Sequence, residues 1–143
     1  MSKKPRKRAS VGKTNRNKGN SFERLLAKIM RELGYEYCKT SRATSRLMDN
    51  CKIDLTGLPF IVQAKAGYDK SRPKYDKIFG EIKEEIGKHF PPSHHIHDMP
   101  IILIHKIDGK KQENWTWTFN HKDIMDLLTK YQNLLHEQDR KIL

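Results

Sequence analysis

Asp54, Gln63 and Lys65 are the residues of this chain whose types and spacing point most directly to chemistry. They stand on two short runs, 51–56 and 60–66, that alternate apolar and polar residues and are joined through Gly57, Leu58 and Pro59. Such alternation predicts two strands of a hairpin, with Lys52, Asp54 and Thr56 on one face of the first and Ile61, Gln63 and Lys65 on one face of the second. If Leu58 and Pro59 form a two-residue turn, Asp54 falls directly across from Gln63. A carboxylate and an amide oxygen so placed can hold a hard divalent cation such as Mg²⁺, which takes one or two carboxylates, keeps several waters and accepts phosphate oxygens. The backbone carbonyl of Ala64 can add a ligand. Lys65 follows about 7 Å further along the same face, where its ammonium can align a water or neutralise charge building on a phosphorus. That set is the equipment for hydrolysing a phosphodiester.

The elements that must position these groups are legible as periodicities. Phe22, Leu25, Leu26, Ile29, Met30 and Leu33 recur at helical spacing, which predicts a helix opened by Asn20 and stopped by Gly34. Glu23 then falls at the third position of a capping box, so it has both a structural and a chemical reading. Residues 35–40 alternate as a strand, and residues 41–50, rich in Ser, Thr and Arg, read as a basic loop. A second amphipathic helix is expected over 74–90, a buried strand over 100–107, a pairing strand over 114–119, and a last helix after Asn120. Ile124, Leu127, Leu128, Tyr131 and Leu135 take core spacing on that helix, which is expected to fray at residues 138–143. The order predicts an α/β fold, a mixed central sheet flanked by helices, with residues 19–137 as one domain.

Charge narrows the partner. The chain has 143 residues, 29 Lys and Arg against 17 Asp and Glu, and a net charge of +12. Residues 1–18 contain Lys3, Lys4, Arg6, Lys7, Arg8, Lys13, Arg16 and Lys18 and no acid, and read as a disordered basic arm. An acid-free arm on a basic body suits electrostatic attachment to phosphate backbones and lacks the apolar face a membrane surface would require. The longest apolar run, residues 101–104, is too short to cross a bilayer. Cys38 and Cys51 have neither disulfide-framework nor CxxC spacing, and with no secretory signal this points to a cytoplasmic setting.

Lys18-Gly19-Asn20-Ser21-Phe22-Glu23-Arg24, Ile53-Asp54-Leu55 and Val62-Gln63-Ala64-Lys65 together resemble the archaeal-type Holliday junction resolvases of the PD-(D/E)XK nuclease superfamily. The likeness covers residues 16–67 by motif and the remainder only by element order, so it identifies the superfamily more sharply than the substrate. It implies a restriction-endonuclease-like fold with an αβββαβ core, Mg²⁺ with Mn²⁺ as a substitute, and a homodimer cutting four-way DNA junctions. A viral or phage source fits as well as a cellular one. By the same resemblance Glu23 is the helix-borne acid, Asp54 the metal-binding aspartate, Gln63 the acid position of the motif and Lys65 the motif lysine. Two positions depart from the pattern. Ile53 replaces proline, which costs nothing, and Gln63 replaces an acid, which leaves the site one negative charge short unless Glu23 or Asp49 compensates.

Several rival readings stand beside this one. Another nuclease of the superfamily, a DNA-binding protein with a degenerate site and an RNA-binding protein with a basic tail all fit the charge. Arg16, Lys18, Ser41, Arg42 and Arg46 are the expected DNA contacts, the last three because their loop directly precedes the Asp54 strand. His94, His95 and His97 lack a Cys or carboxylate at zinc-site spacing. Trp115 and Trp117 alternate with Phe119 and read as core in preference to base-stacking residues.

Overall fold

Phe22, Leu26, Ala27 and Met30 form the buried stripe of helix α1, Val11–Glu32, as an amphipathic helix requires. The computed structural model describes residues 11–67, 72–107 and 109–142, and of these leaves out the side chains at 11–15 and 142, so residues 1–10 of the basic arm lie outside the described residues. The start at Val11 corrects the expected boundary. Helix continues through residues 11–18, and Asn20 sits in its interior, so Asn20 and Glu23 form no capping box. Gly34 ends α1 as anticipated: its φ of 112° lies in the region glycine favours, and Tyr35 N–H donates back to Met30 O at 3.0 Å.

Beyond Gly34 the structure departs from the simple alternation. Only Lys39–Thr40 is strand (β1), and residues 35–38 form a turn held by Arg31 Nη1, which donates to Cys38 O at 2.8 Å. The stretch expected as a basic loop folds into two short helices, α2 (Ser41–Thr44) and α3 (Arg46–Asn50), with the Ser45 hydroxyl accepting from Met48 N–H at the start of α3. Strand β2 is Leu55–Thr56 and pairs antiparallel with β1, Lys39 opposite Thr56 and Thr40 opposite Leu55. The expected two-residue hairpin turn is replaced by residues 57–60. Gly57 enters it at φ 75°, and a Cβ there would collide with the Tyr37 carbonyl, so both backbone and space demand glycine.

Strand β3, Ile61–Ala66, leads through helix α4, Tyr75–His89, to strand β4, Ile101–Lys106, which lies parallel to β3 as a helical crossover permits. Strand β5, Thr116–Phe119, pairs antiparallel with β4 and completes a mixed sheet in the order β3-β4-β5. Both faces of β3 and β4 are covered, which is why these strands read as nearly unbroken apolar runs. On one face Phe22, Leu26 and Met30 of α1 meet Val62, Ile102 and Ile104. On the other, Phe79, Ile82 and Ile86 of α4 meet Ile61, Ile101 and Leu103. The α/β class is as expected.

Helix α5, His121–Ile142, overturns two expectations. It runs on to Ile142, through the described part of the stretch expected to fray. Its stripe, assigned to the core, is exposed: Leu128 shows 52% of its surface and Tyr131 59%. The tryptophans also separate, Trp115 packing edge-on against Phe22 with centroids 5.2 Å apart while Trp117 is 41% exposed.

Candidate functional site

Asp54 is pinned by its backbone from both sides. Its N–H donates to Val62 O and its carbonyl accepts from Ser41 N–H, each at 2.9 Å, so it links the β1–β2 pair to β3. Its side chain then reaches past Gln63: Oδ2 accepts the Ala64 N–H at 2.7 Å. Backbone groups two residues apart on a strand aim the same way, so the Ala64 carbonyl, like that of Val62, points away from β4 and toward Asp54. Gln63 and Lys65 share the face of Ile61, the side of the sheet that α4 covers, while Glu23 arrives from α1 on the other side. Asp54 stands at the strand edge between them, close enough to feel both the Glu23 and the Lys65 charge.

The electrostatics of this corner are unfavourable for bare carboxylates. Burial pushes the Asp54 carboxyl up to about 7, and the Glu23 charge adds to the rise against the opposing Ala64 hydrogen bond and Lys65 ammonium. Glu23, only 7% exposed, is likewise raised above the usual carboxylate range by burial, with Arg42 working in the other direction. Arg42 Nη2 lies 3.5 Å from Glu23 Oε1. Gln63, also 7% exposed, has a buried Oε1 with no hydrogen-bond partner. A buried, unpartnered amide oxygen on the residue next to Ala64, which Asp54 bonds, offers with the Asp54 carboxylate the oxygen donors a hard cation takes, and a cation there would lower the Asp54 carboxyl pKa. Asp54, Gln63 and the Ala64 carbonyl are the groups that can hold it. Among the described residues no cluster of three or more His, Cys, Asp or Glu gathers as a metal site.

The remaining expected site residues divide. Arg16, Lys18, Arg42 and Arg46 lie on the surface. Ser41 is corrected: it is fully buried, and it serves Asp54 through its backbone, which leaves its hydroxyl no route to a DNA strand in this fold. The histidines are used locally, His94 Nδ1 accepting from Ile96 N–H and the His97 ring bonding Pro91 O.

Three features escaped the sequence reading. Asn20 lines a cleft of ≈ 180 Å³ with Glu23, Arg24, Thr40, Arg42 and Ala43, and its Oδ1 is buried without a partner. The capping pattern concealed it. Lys52 adopts φ 64°, unusual for a residue with a side chain, and its Nζ meets Glu81 Oε2 of α4 at 2.9 Å, two residues before Asp54. Cys51 Sγ contacts Glu85 O on the same helix at 3.7 Å. Both tie the Asp54 approach to α4 across a sequence distance that no local pattern encodes. No protein-family model, curated protein or solved structure matches this chain.

Proposed function

We propose that the chain is a metal-dependent, structure-selective DNA endonuclease of the PD-(D/E)XK type, acting as a homodimer on four-way junctions in the cytoplasm of a cell or of a phage-infected host. The observation that carries the reading is the corner itself: Asp54 bonded to Ala64 N–H, between the Glu23 and Lys65 charges, with an unpartnered, buried amide oxygen on the neighbouring residue Gln63. The restriction-endonuclease-like reading of the fold rests on the order of α1, β1, β2, β3, α4 and β4 and on the residue types at this corner.

In this reading Asp54, Gln63 and the Ala64 carbonyl hold Mg²⁺, or Mn²⁺ in its place. The cation supplies Lewis acidity toward the phosphate and lowers the pKa of a water at the site. Lys65 would orient an attacking water and offset charge gathering on phosphorus. Glu23 adds negative charge from α1, and Arg42, 48% exposed at its side chain, is positioned to contact a phosphate oxygen. Arg16, Lys18, Arg46 and the basic arm attract the backbone without regard to sequence.

Incubation of a labelled four-way junction with the native chain and with Asp54→Asn, with and without Mg²⁺, tests the proposal. Cation-dependent cleavage by the native chain, lost in the variant while junction binding persists, is the expected result; flap and linear duplex substrates separate a resolvase from other nucleases of the superfamily. One observation favours a second reading, a DNA-binding protein that no longer cuts: Gln63 contributes a neutral oxygen where the superfamily has an acid. Native chain that binds junctions and leaves them intact in both Mg²⁺ and Mn²⁺ would establish that alternative.

A further inference from the structure

Helix α5 carries an apolar stripe that nothing else in the described chain covers. Its first turn is anchored, because Asp123 Oδ2 accepts the Ile101 N–H at 3.1 Å and Ile124 is half-buried. From Met125 to Lys141 every residue is exposed. Leu127, Leu128, Tyr131, Leu134 and Leu135 nevertheless repeat at three- and four-residue spacing, showing 41%, 52%, 59%, 58% and 36% of their surfaces. Most helical stability in proteins comes from packing an apolar face. Beyond Met125 the described residues leave that face exposed.

The stripe continues onto the body. Leu127 shares a groove of ≈ 210 Å³ with Leu33, Tyr35, Phe60 and Trp117. Leu33 and Trp117 are 66% and 41% exposed. With the helix stripe they form one run of large exposed apolar side chains from the body onto α5, the kind of patch that marks an interaction surface.

Charge selects the partner. A chain of net charge +12, eight of it on residues 1–18, repels its own copies where basic surface meets basic surface. On α5, however, Lys122, Lys130, Arg140 and Lys141 balance Asp123, Asp126, Glu137 and Asp139. This is a neutral strip on a cationic molecule, so it selects neither nucleic acid nor an acidic protein, and two copies meet there without repulsion. The charges are also ordered. Asp123 and Lys141 are separated by five whole helical turns and so share one flank of the stripe. Antiparallel copies bring Asp123 of each beside Lys141 of the other and oppose their helix dipoles, whereas parallel copies confront like with like.

We infer that α5 pairs antiparallel with α5 of a second copy of this chain, the two stripes forming a two-helix seam centred at Gln132, midway between Asp123 and Lys141. The inference takes up the two-copy part of the proposed function and rests on that part alone. The family resemblance ends by motif at residue 67 and assigns no surface to the pairing.

Sedimentation velocity of the full chain, without DNA or divalent cation, tests it across a dilution series. A dimer is expected that dissociates on dilution with loss of helical circular dichroism. Leu128→Asp combined with Leu135→Asp should be monomeric throughout, and both positions are exposed, so the body is unaffected. Orientation is read with a short bifunctional thiol reagent. Gln132→Cys should crosslink to its own copy and Gln138→Cys should not, while Cys38 and Cys51 are buried and remain unreactive. A native chain that is monomeric at every concentration, or crosslinking at 138 in place of 132, overturns the pairing. Asp54→Asn should dimerise like the native chain, so loss of cleavage leaves this result untouched. A monomer that cuts junctions refutes the seam and spares the nuclease reading.

Discussion

Replacing Asp54 by Asn tests whether the corner holds its carboxylate at a cost to the fold. The Asp54 carboxyl titrates near 7 in the folded chain against an ordinary value of 3.8, because burial first and the Glu23 charge second disfavour ionisation. A folded-state pKa above the unfolded one means that the folded chain retains a proton the unfolded chain has lost. The penalty is therefore absent below about pH 3.8, grows as pH rises and is complete above about pH 7. At roughly 1.36 kcal/mol per pKa unit, ionised Asp54 costs about 4 kcal/mol at pH 8 and about 2 kcal/mol at pH 5. Asparagine retains an acceptor for the Ala64 N–H and carries no charge, losing about 1 kcal/mol of charge-assisted bonding. The net gain, about 3 kcal/mol at pH 8, corresponds to a melting temperature roughly 10 °C higher for a domain of this size, shrinking to a few degrees at pH 5. Thermal melts followed by circular dichroism in chelator, from pH 5 to 8, measure it. Added Mg²⁺ should narrow the gap by stabilising only the native carboxylate. An Asn variant that melts below the native chain at pH 8, or a gap independent of pH, would refute the reasoning.

Further expectations concern the neighbouring residues. Gln63→Glu adds a buried carboxylate to a corner that already holds Asp54 and Glu23, so titration calorimetry should find Mg²⁺ bound about tenfold tighter or better while the metal-free chain loses stability; no change in affinity would remove Gln63 from the ligand set. Deleting residues 1–10 removes Lys3, Lys4, Arg6, Lys7 and Arg8. The slope of log affinity against log salt should flatten by about 4 with junction preference retained, and loss of that preference would make the arm part of the site. Gly57→Ala should cost more than about 2 kcal/mol in urea unfolding, because the new Cβ meets the Tyr37 carbonyl at a φ of 75°. A near-neutral result would show that the 57–60 turn relaxes freely.

Periodicity made α1, α4, β3 and β4 legible because the spacing of buried residues follows directly from helix and strand geometry. It failed at residues 41–50, since helices as short as α2 and α3 carry too few residues to display a period. It also misjudged the β2 partner: hydrophobic alternation limits which face a strand buries, while the neighbouring edge is chosen in competition, and β1 took the ladder that a hairpin would have given to β3. At the candidate site, the residue types and the shared face of Gln63 and Lys65 were readable. The Asp54 bond to Ala64 N–H, the burial of Ser41 and the Lys52–Glu81 tie were not.

Taken alone, the amino-acid order determined a basic chain with a cationic start, alternating helices and strands, and an aspartate, a glutamine and a lysine on adjacent extended segments, because charge and local period need no partner to be expressed. Tertiary structure decided the rest: whether Glu23 caps a helix or faces Asp54, how far the Asp54 carboxyl is desolvated, and that the stripe of α5 finds no cover among the described residues. Those outcomes depend on which distant surfaces compete for the same neighbours, and no local pattern records that competition.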